Sequence, residues 1–341
     1  MKDKVEVVVG KHGSVSTLLN GKLHSFKDRP SLVSPDGKEK SWHKNGVYHR
    51  DGGKPAFVKV NEYEPSGAKV KTVTREWYVD GSLHRDVDKP AEHVKTKRFN
   101  KDGLLISKES IKKWYKKDVI HRDGDKPAMI EKQKKLNLAS GDTDYSWDYY
   151  FYKFNNEHRD GDKPSYIHNT VTSIDGYNYS YEVVRYCKND KLHRDGDKPA
   201  VTKKEYNEGE LILSLECYFV NGRNHRDGDK PAEIRFDPDG EIVKFYKMGK
   251  LHRMNKPAFM FKTDNKVFIE FYDRGTVCEE RNIFFNQYLL DELKFMSYDF
   301  NQVSPGDFPN NYLSSILFSI TGKDYINGYP VTNEGEEAKW L

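Results

Sequence analysis

The sequence predicts a mainly β protein, an elongated array of antiparallel β-hairpins with a small α-helical cap at its C-terminal end. Three observations predict it. The chain of 341 residues is only 36% hydrophobic, yet it contains 22 Tyr, 18 Phe and 5 Trp. One eight-residue motif recurs along most of the chain, and turn dipeptides such as Asn-Gly separate runs of strand-forming residues. A thin sheet that packs on flat rings explains both the composition and the pattern.

The recurring motif has the full form His-Arg-Asp-Gly-Asp-Lys-Pro-Ala. It occurs whole three times, once with a final Ser, and four times in variant or degenerate form. We call each copy a corner and name its positions by their distance from the His. The corners start at His24, His49, His84, His121, His158, His193, His225 and His252. A period of this size is typical of repeat proteins that stack one supersecondary unit per repeat.

Each repeat carries the signals of two strands and two turns. An aromatic residue lies seven positions before most of the histidines and ends a strand-like run. Asn-Gly or Asp-Gly often follows, which is the strongest short signal for a type I′ hairpin turn. The Pro of the corner has no N–H for a strand ladder, so it should stand at the start of the next strand.

These elements predict three regions. Residues 1–23 form a β cap in which Lys4–Val9 pairs with Val15–Leu19. Residues 24–282 form the hairpin array of roughly 16–18 strands, two for each repeat, and its last copy is degenerate, with Cys278 in place of the His.

The C-terminal region has a different pattern. Within residues 283–341, the segments Asn286–Met296 and Tyr312–Ile320 have apolar residues at the spacing of amphipathic helices. We expect these helices to cover the last edge strand of the array, since an uncovered edge invites pairing with other chains.

The pattern aromatic–x–x–x–Gly–x–x–His resembles the MORN-type repeat, whose units are short β-hairpins. It is more similar to a variant in which Arg, acidic residues and Gly-Pro-Ala follow the His, and which occurs in uncharacterised proteins of bacteriophages and giant viruses. The match covers about residues 15–282, with Lys in place of the Gly before the Pro. The resemblance implies a β-hairpin array of phage or viral origin that serves as a scaffold or binding module.

The repeated residues have a structural interpretation. The His can hydrogen-bond the backbone of a turn, the Arg can pair with an Asp of its own or a neighbouring corner, and the aromatic rings can form a buried spine. We assign this role to His49, His84, His121, His158, His193, His225, His252, Trp42, Trp77 and Trp114.

The net charge of the chain lies in the corners. Between His and Pro, the eight corners hold 16 basic and 12 acidic residues, and the difference equals the formal net charge of +4. Stacked repeats would line up these cations into a ladder that suits an anionic ligand or an acidic protein surface. The candidate anion- or partner-binding residues are Arg85, Lys89, Arg122, Lys126, Arg159, Lys163, Arg194, Lys198, Arg226 and Lys230.

Several function classes are disfavoured. His-Arg-Asp is also found in the catalytic loop of protein kinases, which requires an Asn five residues after the Asp. In this chain the residue five positions after Asp123 is Ala128. Equivalent histidines of neighbouring repeats should lie about 10 Å apart, too far to share a zinc ion. Three cysteines make no disulfide framework, which favours the cytoplasm. We therefore expect no catalysis, no metal and no cofactor.

We interpret the chain as a non-enzymatic binding or scaffold protein that acts on a host or virion protein. The long hairpins of the middle repeats, Lys132–Tyr150 and Asn169–Tyr181, are the candidate partner surface because they depart from the shared framework. Two alternatives remain open. One is sequestration of an anionic nucleotide by Arg and Lys of successive corners. The other is binding of nucleic acid, or less favourably of an anionic membrane, through the cation ladder.

Overall fold

A computed structural model of the chain describes residues 3–174, 176–254, 256–263, 266–284, 325–326 and 329–330. These residues are mainly β and form antiparallel hairpins, which confirms this part of the predicted fold class. The two predicted helices of the C-terminal cap, Asn286–Met296 and Tyr312–Ile320, lie outside the described residues. Among the residues that are described, no helix is long and apolar enough to cross a membrane.

The chain divides into two compact units, residues 1–192 with 203–211, and residues 193–202 with 212–341. The first unit contains β1 to β23 and most of β24. In chain order these strands are β1 Val5–Val9, β2 Val15–Leu19, β3 Lys22–Leu23, β4 Leu32–Val33, β5 Glu39–Ser41, β6 His43–Lys44, β7 Val47–Tyr48, β8 Phe57–Tyr63, β9 Lys69–Glu76, β10 Tyr78–Val79, β11 Ser82–Leu83, β12 Glu92–Phe99, β13 Leu105–Lys113, β14 Tyr115–Lys116, β15 Val119–Ile120, β16 Met129–Leu136, β17 Thr143–Tyr150, β18 Tyr152–Lys153, β19 Asn156–Glu157, β20 Tyr166–Ile174, β21 Tyr177–Arg185, β22 Cys187–Lys188, β23 Lys191–Leu192 and β24 Val201–Asn207. A 3₁₀ turn, Pro65–Gly67, joins β8 to β9.

The second unit contains most of β25 and the strands after it. They are β25 Glu210–Cys217, β26 Phe219–Val220, β27 Arg223–Asn224, β28 Glu233–Asp237, β29 Gly240–Lys244, β30 Tyr246–Lys247, β31 Lys250–Leu251, β32 Phe259–Lys262, β33 Lys266–Asp273, β34 Thr276–Phe284, β35 Tyr325–Ile326 and β36 Tyr329–Pro330.

The longer strands form antiparallel ladders in chain order. In the first unit the ladder passes through β1, β2, β4, β5, β8, β9, β12, β13, β16, β17, β20 and β21. In the second unit it passes through β25, β28, β29, β32, β33 and β34.

Most repeats contribute two strands to these ladders, as predicted, but they also contain a short hairpin of two-residue strands that the prediction did not include. Examples are β14 with β15, and β30 with β31. The long strand stops at the aromatic residue, whose backbone turns to other partners. The Trp114 N–H donates to the Ala128 carbonyl at 2.8 Å, and the Trp114 carbonyl accepts from the His121 N–H at 3.1 Å. The aromatic residue is therefore the junction between the long and the short hairpin.

The short hairpins turn as predicted for type I′ turns, with both central residues at positive φ. Asn45 and Gly46 have φ of 55° and 94°. The same conformation occurs at Phe154-Asn155, where φ is 52° and 70° although neither residue is Gly. Only the second position there carries a residue that tolerates the left-handed region well, so the fold overrides the local preference of Phe154.

In six of the repeats the core contains a buried aromatic ring beside a small residue after the Pro. Trp42, Trp77, Trp114 and Phe151 are at most 8% exposed in the first unit, as are Tyr218 and Phe245 in the second. The small residue has no exposed surface at Ala56, Ala91, Ala128, Ser165, Ala200, Ala232 and Ala258. Thin layers of this kind need few aliphatic side chains, which accounts for the low hydrophobic fraction of the chain.

Candidate functional site

Seven of the eight corners are bends that their own Arg closes, whereas the corner of His24 has Ser25 in place of that Arg. At the corner of His121, Gly124 and Asp125 at positions +3 and +4 have φ of 81° and 54°. The Arg122 Nη1 donates to the carbonyl of Pro127 at 3.1 Å. The same Arg-to-Pro hydrogen bond forms at Arg50, Arg85, Arg159, Arg194, Arg226 and Arg253.

The Asp at position +4 belongs to the next corner as much as to its own. Asp88 accepts from Arg122 Nε at 2.6 Å and Arg122 Nη2 at 3.1 Å, and from Lys126 Nζ at 2.7 Å. One carboxylate thus binds the Arg and the pre-proline Lys of the following corner. The same arrangement joins Asp28 to Arg50 and Lys54, Asp125 to Arg159 and Lys163, Asp197 to Arg226 and Lys230, and Asp229 to Arg253 and Lys256. The predicted pairing of Arg with an Asp of the neighbouring corner is confirmed.

These pairs strongly favour the ionised carboxylates. Hydrogen bonds from the Arg and then from the Lys lower the pKa of Asp88, Asp125 and Asp197 from 3.8 to about 2. The same two donors lower the pKa of Asp28 further. The corner cations are therefore matched to carboxylate oxygens, two Arg donors and one Lys donor for each anion.

The Arg also covers the aromatic ring of its own repeat. The guanidinium carbon of Arg122 lies 3.9 Å from the centroid of Trp114, and Arg159 lies 3.7 Å from that of Phe151. The Trp indoles point to the preceding corner, where Trp114 Nε1 donates to the Asp88 carbonyl at 3.1 Å. The predicted burial of these rings is confirmed for Trp42, Trp77, Trp114, Phe151, Tyr218 and Phe245. Each of these six rings packs against the Arg of its own repeat.

The corner His links its own corner to the next short hairpin. His158 Nε2 lies 3.1 Å from Asp160 Oδ1, and the Asn189 N–H donates to His158 Nδ1 at 3.3 Å. Since Nδ1 accepts, the ring hydrogen of a neutral His158 sits on Nε2. The same Nε2-to-Asp contact forms at His49, His84, His121, His193 and His225. His252 accepts the Arg274 N–H at Nδ1. These contacts support the structural role assigned to the histidines.

The ten candidate cations fall into different environments. Arg122, Lys126, Arg159, Lys163, Arg226 and Lys230 bind the aspartates described above, and an external anion would have to displace a carboxylate there. Arg194 and Lys198 also interact with other residues of the chain. Arg85 and Lys89 differ, because the preceding corner has Gly53 at position +4 where the others that precede a corner have Asp.

The long middle hairpins carry exposed apolar side chains. Tyr145 on β17 and Val171 on β20 face each other across the ladder and are 44% and 40% exposed. Lys134, paired with Tyr145 from β16, holds its ammonium 5.2 Å from the ring centroid. Near the hairpin ends, Leu138 is 56% and Tyr177 62% exposed. We call Lys134, Leu138, Tyr145, Val171 and Tyr177 the hairpin patch.

A polar network on the same strands was not predicted from the sequence. Asp148 on β17 accepts from the Tyr166 hydroxyl at 2.7 Å and lies 2.8 Å from His168 Nδ1, and His168 Nε2 lies 2.9 Å from Thr170 Oγ1. The pKa of Tyr166 is raised mainly by burial and, to a smaller extent, by the hydrogen bond to Asp148. Tyr166, His168 and Thr170 lie 18 to 22 positions after Asp148, and only strand register brings the carboxylate to them, so no local signal could have revealed the network.

Within the part of the chain that the structure describes, no three or more His, Cys, Asp and Glu side chains are grouped so that they could hold a metal ion. Cys187, Cys217 and Cys278 form no disulfide. Burial raises the pKa of Cys187 and of Cys217 to about 12, which keeps both thiols protonated and poorly nucleophilic at neutral pH.

Comparison with known proteins adds no family to this geometry. A scan against protein-family models, a search of curated proteins and a search of solved structures each returned no match.

Proposed function

We propose that this chain is a non-enzymatic protein-binding scaffold whose repeated corners hold the fold and whose hairpin patch contacts the partner. The exposed pair of Tyr145 and Val171 carries the proposal. Exposed apolar side chains that adjoin one another on a rigid sheet are typical of protein-interaction surfaces. The exposed Lys134 beside them favours a partner whose apolar contact is flanked by acidic residues.

The hydrogen-bonded series of Asp148, His168 and Thr170 invites comparison with a catalytic triad, but it supports the binding proposal better. Thr170 lies inside β20, paired with Ser146 on one side and Tyr181 on the other. The neighbouring backbone N–H groups are therefore committed to the ladders rather than arranged around an oxyanion. We interpret the network as a polar packing layer between strands.

The corner contacts favour a protein partner over the two alternatives from the sequence. Nucleotide sequestration and nucleic-acid binding both rely on corner cations, and five aspartates already occupy most of these cations. A polyanion would have to replace bonds that form within the chain, at a cost that weakens any net attraction. The antiparallel hairpins support the proposed relation to MORN-type arrays. The phage or viral origin, the host or virion partner and the cytoplasmic location stay predictions.

Affinity capture with matched variants tests the proposal. We expect wild-type protein to retain a stoichiometric partner from lysate and the double variant Tyr145→Ser/Val171→Ser to retain it at least tenfold less. Phe236→Ser is the control, since Phe236 is 50% exposed on β28, outside the patch. Equal capture by the patch variant and the control would contradict the patch. Recovery of nucleic acid alone, sensitive to nuclease, would favour the polyanion alternative instead.

A further inference from the structure

The corner of His84 lacks the acidic partner that the cations of other corners have. Position +4 of the preceding corner is Gly53, whereas Asp28, Asp88, Asp125, Asp197 and Asp229 hold this position before the corners whose cations they bind. Arg85 and Lys89 nevertheless keep the residue types that bind such a carboxylate.

Arg85 also keeps the pose of the other corner arginines. Its guanidinium carbon lies 3.9 Å from the Trp77 centroid, and its Nη1 donates to the Pro90 carbonyl at 3.3 Å. Its Nη2 donates to the Gly53 carbonyl at 3.4 Å, where other arginines reach a carboxylate oxygen. The donors left over are Arg85 Nε and Lys89 Nζ, which have no hydrogen-bond or ion-pair partner among the described residues.

The space that a side chain at position 53 would occupy contains no other atoms of the chain. A Cβ added to Gly53 would meet no atom within 4 Å, and the φ of Gly53, +65°, resembles the +61° of Asp28 and +54° of Asp125. The nearby acids are engaged elsewhere: Asp51 with His49, Asp86 with His84, and Asp88 with Arg122. A carboxylate at position 53 would therefore meet no steric obstacle, and the two cations that bind it in the other corners lack it here.

An apolar residue adjoins this position. Val87, at position +3, is 82% exposed and has φ of +64°, a conformation that a β-branched residue rarely adopts. At the corner of His121 the same position is Gly124, whose added Cβ would lie 3.9 Å from Lys126 Cε. From this relation we infer that the Val87 side chain lies beside Lys89, which would give the two cations an apolar neighbour.

We propose that Arg85 and Lys89 bind a carboxylate of a partner protein, an Asp or Glu side chain or a chain terminus, in the place that Asp occupies at other corners. This inference rests on the proposed function and adds a second contact to it. The partner would complete the corner from outside, and Val87 would contact the apolar residue next to the carboxylate. A protein carboxylate suits the site better than a phosphate because the five occupied corners bind carboxylates with the same donors.

The indole of Trp77 provides a specific reporter. Its Nε1–H donates to the Gly53 carbonyl at 2.8 Å, and Arg85 lies on its ring. We would follow the indole N–H signals by NMR during titration with sodium acetate, with sodium chloride holding the ionic strength constant. Trp42 and Trp114 are internal controls, because Asp28 and Asp88 fill their sites. Inorganic phosphate forms a parallel arm, and Trp77→Phe assigns the signal.

The expected result is a saturable shift of the Trp77 signal with acetate and no comparable shift of the other two. Gly53→Asp supplies the missing carboxylate within the chain and should weaken acetate binding at least tenfold, while keeping the other indole signals in place. Lys89→Gln, a change at an exposed residue, should weaken it in the same direction. A Trp77 signal that ignores acetate, shifts in step with Trp42 and Trp114, or responds to phosphate alone would overturn the proposal.

Capture experiments separate this inference from the proposed function. Gly53→Asp should lower partner capture, whereas the hairpin-patch variant leaves the Trp77 response to acetate intact. Full capture by Gly53→Asp together with loss of capture by Tyr145→Ser/Val171→Ser would overturn the carboxylate contact and leave the scaffold function standing. A specific acetate response without any captured protein would instead overturn the scaffold function and leave the carboxylate-binding site standing.

Discussion

Asp125 and Arg159 lie 34 residues apart in the chain, yet the carboxylate of one and the guanidinium of the other form two hydrogen bonds, Nε to Oδ1 at 2.6 Å and Nη2 to Oδ2 at 3.3 Å. Lys163 adds a third donor at 2.6 Å from Oδ2. The same Arg159 caps the Phe151 ring and closes its own corner. One guanidinium thus ties together the ring of its repeat, its own bend and the preceding bend.

Replacing Asp125 by Asn should lower stability, because Arg159 and Lys163 lose their shared anion. The carboxylate is 42% exposed, so solvent screens the pair and the expected loss is only about 1 kcal/mol. Urea unfolding measures it. Asp102→Asn in an exposed turn is the matched control, and an equal effect of the two substitutions would argue against a stabilising role for the link.

Enlarging the small residue after the Pro should be costlier. Ala128 has no exposed surface, and its N–H and carbonyl pair with Tyr150 and Trp114. We expect Ala128→Val to destabilise the protein by about 1–3 kcal/mol through overpacking. Ala128→Ser should be milder, because Ser165 occupies the equivalent position. Ala139→Val, in an exposed loop, should change stability by less than about 0.5 kcal/mol. Thermal unfolding of the three variants gives the comparison.

Substituting Val87 by Gly should stabilise the protein. A left-handed conformation costs an ordinary L-residue about 1–2 kcal/mol, and the greater backbone freedom of Gly in the unfolded chain offsets part of that relief. The expected net gain is about 0.5–1 kcal/mol, seen as a higher unfolding midpoint. Val277→Gly, in β34, should have the opposite sign because strand positions favour Val. A lower unfolding midpoint for Val87→Gly would contradict the claim that Val87 is strained.

Acid should weaken the corners in a defined pH window. The folded-state pKa of Asp88, Asp125 and Asp197 is about 2, below the value of about 4 in an unfolded chain. Their stabilising contribution is therefore complete above about pH 4 and is lost as the pH falls toward about 2. Unfolding midpoints between pH 6 and pH 2 should show this decline, and a triple Asn variant should decline less. If the unfolding midpoints of the wild-type protein and the triple Asn variant fell in parallel with pH, these aspartates would not be the source of the decline.

The corner histidines His158, His193 and His225 should share one tautomer. At His158, His193 and His225 the Nδ1 accepts a backbone N–H from the next turn while Nε2 faces an Asp. Long-range ¹H–¹⁵N NMR spectra at pH 8 should therefore show neutral rings with the hydrogen on Nε2. His12, exposed in the turn between β1 and β2, should show a mixture. A hydrogen on Nδ1 of His158 would mean that the turn contact does not form.

Local features were predictable because adjacent residues encode them. The type I′ turn at Asn45-Gly46 follows from two residues that tolerate positive φ, and the burial of Trp114 follows from a repeated aromatic position before the turn. The turn at Phe154-Asn155 carries a weaker signal, since Phe has no preference for the left-handed region. The two-residue strands beside these turns were not predicted as separate elements, because they contain too little alternation to be distinguished from the turns themselves.

By itself, the sequence determined that this protein is a β-hairpin repeat with one shared corner and that its excess charge lies in those corners. Only the tertiary structure decided where that charge is neutralised. The cations appear as an open ladder when they are counted along the chain, but strand register brings Asp88 to Arg122 and Asp125 to Arg159 across more than 30 residues. The same stacking makes Gly53 significant. Position +4 of one corner lies beside the cations of the next, so the absence of a carboxylate there leaves Arg85 and Lys89 without their usual partner.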